Sequence, residues 1–104
     1  MKKVTVLRLS GCPFCEELAE KLEANNIEYI AIDANKNGKF ADEVEDLVNT
    51  EIYPIVILEV DKKVPLYLFR ANDHNEIGKL SIDNGIKVGV LSIDTMVEII
   101  LNTK

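Results

Sequence analysis

Two cysteines, Cys12 and Cys15, are the residues whose type and spacing most clearly predict chemistry in this 104-residue chain. The chain has no other cysteine, and Pro13 and Phe14 lie between the two. A pair at this spacing is typical of thiol–disulfide exchange or of half a metal site. A structural zinc ion takes four ligands, whereas the chain offers only these two sulfurs and one histidine, His74. The pair therefore favours redox chemistry over metal binding.

The residues around the pair predict a strand that leads into a helix. Residues 4–9 are rich in aliphatic and β-branched side chains, which is typical of a strand buried on both faces. Pro13 suits the first position of a helix, because a backbone N–H group at that position would have no acceptor within the helix and its absence costs nothing. Apolar side chains recur at helical spacing from residue 14 to residue 22, and the helix is expected to end near residues 25–26.

This placement meets two requirements of dithiol exchange. One thiol must be exposed and ionised, and Cys12 lies at the helix N-terminus, where unpaired N–H groups and the helix dipole favour negative charge. The second thiol must be close enough to attack a mixed disulfide, and Cys15 follows about one helical turn later. We therefore expect Cys12 to be the nucleophile and Cys15 to be the resolving thiol.

Further strands and helices are predicted along the rest of the chain. Those before residue 71 are a strand at 28–33, a helix at 40–48, a strand at 55–60 and a strand at 64–70, with a hairpin turn at 61–63 between the last two. A closing helix begins after Ser92, which is a good N-cap, and has an apolar stripe between residues 93 and 101.

Residues 71–91 allow two interpretations. Residues 73–80 could form a short helix. Alternatively, residues 77–82 and 86–91 could form a hairpin around Asn84-Gly85, a dipeptide that is a strong turn signal and favours this second interpretation. The whole pattern predicts a single α/β domain over residues 1–104, with an irregular insertion or an extra hairpin before the C-terminal helix.

The segment LSGCPFC at residues 9–15 resembles the active site of dithiol glutaredoxins, in which a Cys-Pro-aromatic-Cys motif precedes the first helix. The resemblance extends more loosely over residues 4–70. It implies a thioredoxin-like fold with a central mixed four-stranded sheet flanked by helices. It also implies an enzyme of cell redox homeostasis and electron transport that reduces protein disulfides or glutathione mixed disulfides.

The resemblance also implies roles for residues outside the cysteine pair. Pro54 matches the family's cis-proline, which faces the active site, and Tyr53 before it offers backbone groups to the substrate. Pro54 could otherwise simply begin an edge-like third strand, but its place after the second helix favours the functional interpretation. Pro13 and Phe14, within the motif, are also expected to border the substrate.

One departure from the family's pattern concerns glutathione. Dithiol glutaredoxins usually carry Lys or Arg three residues before the first cysteine, where it pairs with a glutathione carboxylate. This chain has Leu9 there, with Arg8 one position earlier and expected on the other face of the strand. Arg8 remains a candidate substrate-binding residue, and dithiol chemistry is the firmer expectation than glutathione as the reductant.

Net charge and composition limit the classes of binding partner that we expect. The net charge of −6 disfavours nucleic acid and anionic membranes, and no stretch is long enough to span a bilayer. Residues 1–4 lead into the first strand without a secretory signal, so we expect a cytoplasmic monomer that acts on disulfide-containing proteins. We expect no bound cofactor and no metal, with glutathione as a co-substrate or a thioredoxin-reductase-like flavoenzyme as the electron donor. One alternative is a non-enzymatic metal or iron–sulfur carrier that uses Cys12. Another is an interaction module that binds a partner through residues 71–91, with redox activity secondary.

Overall fold

The strands of the protein form one mixed sheet in the computed structural model, which describes residues 1–103. The elements follow one another as β1 (Lys2–Arg8), α1 (Pro13–Ala24), β2 (Ile30–Asp33), α2 (Gly38–Val48), β3 (Ile55–Val60), β4 (Leu66–Arg70), a 3-10 turn (His74–Glu76), β5 (Gly78–Ile82), β6 (Gly85–Val90) and α3 (Ile93–Asn102). The bounds of β3 are those predicted, and α1 begins at Pro13 as predicted.

The sheet has the strand order β2-β1-β3-β4-β6-β5. The strand–helix–strand unit at the start of the chain pairs β1 with β2 in parallel, and the later hairpin pairs β3 with β4 in antiparallel orientation, both as predicted. Because β1 and β4 are each antiparallel to β3, they run in the same direction. The C-terminal ends of β1 and β4, at Arg8 and Arg70, therefore lie at the same edge of the sheet.

The prediction of a four-stranded sheet is wrong, because the sheet has six strands. The hairpin expected around Asn84-Gly85 forms, and its second strand, β6, pairs in parallel with β4. The hairpin thus extends the central sheet instead of standing apart as an insertion. Of the alternative short helix at residues 73–80, only the 3-10 turn His74–Glu76 forms. It packs against β6 so closely that a Cβ atom on Gly89 would overlap the carbonyl oxygen of Glu76.

Helices cover both faces of the sheet. Strand side chains alternate between the two faces, so β3 sends Val56 and Leu58 to one core and Ile55 and Ile57 to the other. The first core includes the buried faces of α1 and α3, and the second includes that of α2. Within residues 1–103, none of the helices is long and apolar enough to cross a membrane.

Candidate active site

Cys12 is the N-cap residue of α1, and its backbone is extended (φ −85°, ψ 111°). The backbone N–H of Cys15 donates a hydrogen bond to the Cys12 sulfur over 3.2 Å. The sulfur thus occupies the place that a serine or aspartate oxygen takes in an ordinary helix cap. A hydrogen bond from an N–H group and the positive end of the helix both favour a thiolate over a thiol.

Cys15 lies one turn into α1 and is fully buried, whereas Cys12 is partly exposed. The two sulfurs form a disulfide, with the Cα atoms 5.2 Å apart. Buried Cys15 packs in the core beneath α2, where Cys12 contacts the same cluster from its edge. Of the two cysteines, only Cys12 is therefore accessible from solvent.

Tyr53 and Pro54 approach the cysteine pair from the loop before β3. The Tyr53–Pro54 peptide bond is cis, as the resemblance implied. The carbonyl oxygen of Tyr53 lies 3.9 Å from the Cys12 sulfur. Both residues are buried, so it is the backbone of this loop, more than its side chains, that faces the sulfur.

The side chain of Tyr53 points into the core and anchors the loop to α2. Its hydroxyl donates a hydrogen bond to the carboxylate of Glu45. Burial, followed by this hydrogen bond and the negative charge of Glu45, raises the pKa of Tyr53 far above its usual value. The hydroxyl is therefore a donor at every physiological pH, and Tyr53 acts as a structural support for the loop.

The sequence prediction missed a cation at the site, Arg70. Its guanidinium carbon lies over the ring of Phe14, 3.6 Å from the ring centroid. Phe14 follows Pro13 on the exposed side of the helix start, and both side chains are exposed. The signal that could have found Arg70 is topological: β1 and β4 run in the same direction, so the end of β4 lies at the edge of the sheet where Cys12 follows β1.

Arg8 and Leu9 lie on different sides of the sheet, as the alternation of a strand predicts. The Arg8 guanidinium approaches the carboxylate of Glu16 in the first turn of α1, at 3.9 Å. Leu9 is partly buried and packs against the core beneath α2, together with Cys12. Leu9 thus stands close to the cysteine pair without supplying a charge, and Arg8 is engaged with α1.

Other parts of the described surface lie away from this site. A cavity of about 1040 Å³ opens at the N-terminal end of β1, lined by residues that include Lys2, Tyr29 and Asp61. Neither cysteine lines it, and the chemistry of the thiols locates the candidate site better than cavity size does. Among residues 1–103, no three His, Cys, Asp or Glu side chains cluster closely enough to hold a metal ion.

Comparison with known proteins agrees with the geometry. The sequence model of the glutaredoxin family matches residues 4–64, a stretch that contains both cysteines and the cis peptide bond. The chain belongs to the glutaredoxin family. The matched stretch covers more than half of the chain and ends in the turn between β3 and β4, so Arg70 and the β5–β6 hairpin lie beyond it.

One curated relative carries a similar sequence. The gene 56 protein of Mycobacterium phage L5 is 33% identical to this glutaredoxin-family chain over 61 residues, which are 59% of the chain and 59% of the relative. The match therefore spans well under two thirds of the relative's length. No solved structure matches the chain. Membership of the family supports a thiol–disulfide oxidoreductase type of function for the close pair Cys12 and Cys15.

Proposed function

We propose that this protein is a dithiol oxidoreductase that reduces disulfides of proteins, or mixed disulfides with glutathione, through Cys12 and Cys15. The observation that carries the proposal is the difference between the two sulfurs. Cys12 is partly exposed and its sulfur accepts the N–H of Cys15, whereas Cys15 is fully buried one turn into the helix. One sulfur is thus prepared for attack from solvent and the other for attack on the first.

The reaction proceeds in two exchange steps. The Cys12 thiolate attacks one sulfur of the substrate disulfide, a bond forms between Cys12 and that sulfur, and the other substrate sulfur leaves as a thiolate. Cys15 then loses its proton, attacks the Cys12 sulfur and releases the second substrate thiolate. The two electrons that reduce the substrate come from the dithiol, which ends as the disulfide between Cys12 and Cys15.

The loop before β3 has a supporting role in this proposal. An extended substrate segment beside the Cys12 sulfur can hydrogen-bond to backbone groups of Tyr53, whose carbonyl oxygen lies 3.9 Å from that sulfur. Backbone recognition of this kind is independent of the substrate's sequence. Pro13 and Phe14 are exposed at the start of α1, and we propose that they also border the substrate.

The electron donor that restores the dithiol is proposed to be glutathione, with a thioredoxin-reductase-like flavoenzyme as the alternative. Leu9, which packs against the core, supplies no charge for a glutathione carboxylate, and for this reason the flavoenzyme is kept as the alternative donor. We expect the protein to act in the cytoplasm as a monomer and to need no bound cofactor for either donor.

The test is a reduction assay with bis(2-hydroxyethyl) disulfide, a small neutral substrate. It is run in parallel with glutathione plus glutathione reductase, with thioredoxin reductase, and with dithiothreitol as a chemical donor. We expect turnover with dithiothreitol and with one of the two enzymatic systems, and none for Cys12→Ser. Absence of turnover with all three donors, from a protein shown to be folded and reduced, contradicts the proposed function.

A further inference from the structure

Arg70 is a cation at the active site, and its contacts within the protein do not explain why a cation lies there. The guanidinium carbon lies 3.6 Å from the centroid of the Phe14 ring, and this stacking leaves the N–H groups at the edge of the guanidinium plane free to bind other groups. Phe14 lies between the two cysteines in the chain, with 42% of its side chain exposed. Arg70 is therefore held beside the site by an aromatic ring that is itself part of the motif.

One hydrogen-bond donor of the Arg70 guanidinium has no acceptor. The Nε atom of Arg70 is buried and has no hydrogen-bond partner among the described residues. The ion pairs within residues 1–103 involve the N-terminus, Arg8 and Lys21, and none involves Arg70. A charged group with a buried donor that lacks an acceptor is costly, and an anion bound to the other N–H groups of the guanidinium offsets part of that cost.

The fold makes the position of Arg70 rigid. It is the last residue of β4, it is in register with Val90 of β6, and the N–H of the next residue, Ala71, donates to the carbonyl of Val90 over 2.8 Å. The strand β4 is paired with β3 as far as Leu68 and with β6 as far as Arg70, so its backbone is held along its whole length. A rigid planar fork of N–H donors is well suited to bind a carboxylate with two hydrogen bonds.

We propose that Arg70 binds a carboxylate of the substrate, located within about two residues of the substrate's reacting sulfur. The inference rests on the proposed oxidoreductase function and names its substrate class, disulfides flanked by an acidic group. The carboxylate can come from an acidic side chain of a protein substrate or from glutathione, and Arg70 replaces the charge that Leu9 lacks. Two extended residues span about 7 Å, and the Phe14 ring that Arg70 covers belongs to the residue two positions after Cys12.

Three matched peptides test the inference. Each is a symmetric disulfide of acetyl-Cys-Gly-Xaa-amide, in which Xaa is Glu, Gln or Lys, so that only Xaa carries a charge. Oxidised glutathione serves as a fourth substrate and separates the two sources of the carboxylate. Values of kcat and KM are measured for the wild type, Arg70→Gln and Arg70→Lys with dithiothreitol as the donor. Lys63→Gln, which removes one positive charge in the turn at the other end of β4, is the control variant.

We expect the wild type to prefer the Glu peptide over the Lys peptide. Arg70→Gln should lower kcat/KM by about tenfold for the Glu peptide or for oxidised glutathione, chiefly through KM, and leave the Gln peptide nearly unchanged. Arg70→Lys should retain part of the preference, because it keeps the charge and loses the planar fork. The preference should weaken as salt rises, and Lys63→Gln should behave like the wild type.

Two results would overturn the inference. If Arg70→Gln slows all four substrates equally, Arg70 acts through the cysteines or through Phe14 and does not bind the substrate. If it changes none of them, the guanidinium binds nothing during the reaction. Thermal unfolding of each variant shows whether the fold is intact, and Arg70→Lys keeps the test available should Arg70→Gln fail to fold.

A second measurement separates this inference from the proposed function. Reduced Cys12 attacks a methanethiosulfonate, forms a mixed disulfide and releases methanesulfinate, a reaction that needs no enzymatic turnover. We expect the ratio of labelling rates for the anionic sulfonatoethyl reagent and the cationic trimethylammonioethyl reagent to fall severalfold in Arg70→Gln. A fall without turnover of any disulfide would support the anion site and contradict the oxidoreductase proposal. An unchanged ratio in an active enzyme would contradict the anion site and leave the oxidoreductase proposal supported.

Discussion

The carbonyl oxygen of Tyr53 lies 3.9 Å from the sulfur of Cys12, although 41 residues separate them in the chain. The cap of α1 fixes the sulfur, and the hydrogen bond from Tyr53 to Glu45 of α2 fixes the loop that carries the carbonyl. The contact therefore joins the start of α1 to a loop that is anchored to α2 on the other face of the sheet.

The two cysteines should respond differently to replacement. Cys12→Ser should abolish disulfide reduction, because the remaining sulfur of Cys15 is fully buried. Cys15→Ser should still attack the substrate and should accumulate the mixed disulfide on Cys12. Mass spectrometry after incubation with bis(2-hydroxyethyl) disulfide measures both outcomes. A stable adduct on Cys15 in the Cys12→Ser protein would reverse the assignment of the two roles.

Leu9→Lys should improve the use of glutathione mixed disulfides. Leu9 packs at the edge of the core beside Cys12, and a lysine stem can keep that packing while its ammonium reaches solvent. One charge-assisted hydrogen bond is worth roughly 1.5–3 kcal/mol when well formed, so KM should fall by about tenfold or more. Leu9→Met is the uncharged control. The gain should shrink at high salt and be absent for a neutral disulfide, and equal kinetics for Lys and Met would show that no carboxylate binds near residue 9.

Alkaline pH should weaken the fold through its tyrosines. The hydrogen bond to Glu23 raises the pKa of Tyr29, and burial raises the pKa of Tyr67 and, much more strongly, that of Tyr53. The unfolded chain then loses these protons first, at a pH of about 10. Each contribution to stability is complete below that pH and is lost as pH rises toward the folded-state value, at up to about 1.4 kcal/mol per pH unit for each tyrosine.

Absorbance near 295 nm measures this directly, since the chain contains three tyrosines and no tryptophan. Native protein should ionise its tyrosines above the ordinary value, and Tyr53→Phe should remove the component that ionises last. Unfolding by urea at pH 9 and at pH 11 should show a smaller loss of stability in Tyr53→Phe than in the wild type. Equal losses in both proteins would contradict the shift assigned to Tyr53.

Ser92 should stabilise α3 as its N-cap. Its hydroxyl oxygen accepts the N–H of Thr95 over 3.2 Å, and the Ser92 backbone is extended, as a cap requires. Ser92→Ala should lower the free energy of unfolding by about 1 kcal/mol, and Ser92→Asp should largely retain it. Urea unfolding measures both, with Ser81→Ala on the exposed strand β5 as the control. Equal stability of the Ala and Asp variants would show that Ser92 does not stabilise α3 as its N-cap.

Gly89 should be intolerant of a side chain, because any Cβ there overlaps the backbone carbonyl of Glu76 and approaches the ring of Phe69 to 3.2 Å. Gly89→Ala should therefore cost about 1–3 kcal/mol of stability and displace the 3-10 turn. Gly38→Ala is the matched control, since a Cβ on Gly38 meets no atom within 4 Å. Similar unfolding midpoints for the two variants would contradict the close packing of the turn on β6.

Local features of this protein were open to prediction because they depend on residues near one another in the chain. Pro13 after Cys12 predicted the start of α1, the aliphatic run at residues 55–60 predicted β3, and Asn84-Gly85 predicted the β5–β6 turn. The nucleophile, too, followed from local physics, since a residue at a helix N-terminus lies beside unpaired N–H groups wherever the helix later packs. These features hold for any tertiary arrangement of the same elements.

The place of the β5–β6 hairpin in the sheet and the contacts across the sheet were decided by the tertiary structure alone. Periodicity records which face of a strand is buried, but it does not record which neighbour fills the open edge of the sheet. For that reason the sequence did not predict that β6 pairs in parallel with β4, and it did not predict the six-stranded sheet that results. Arg70 escaped prediction for the same reason, because its place over Phe14 depends on two strands running in the same direction through a shared antiparallel partner.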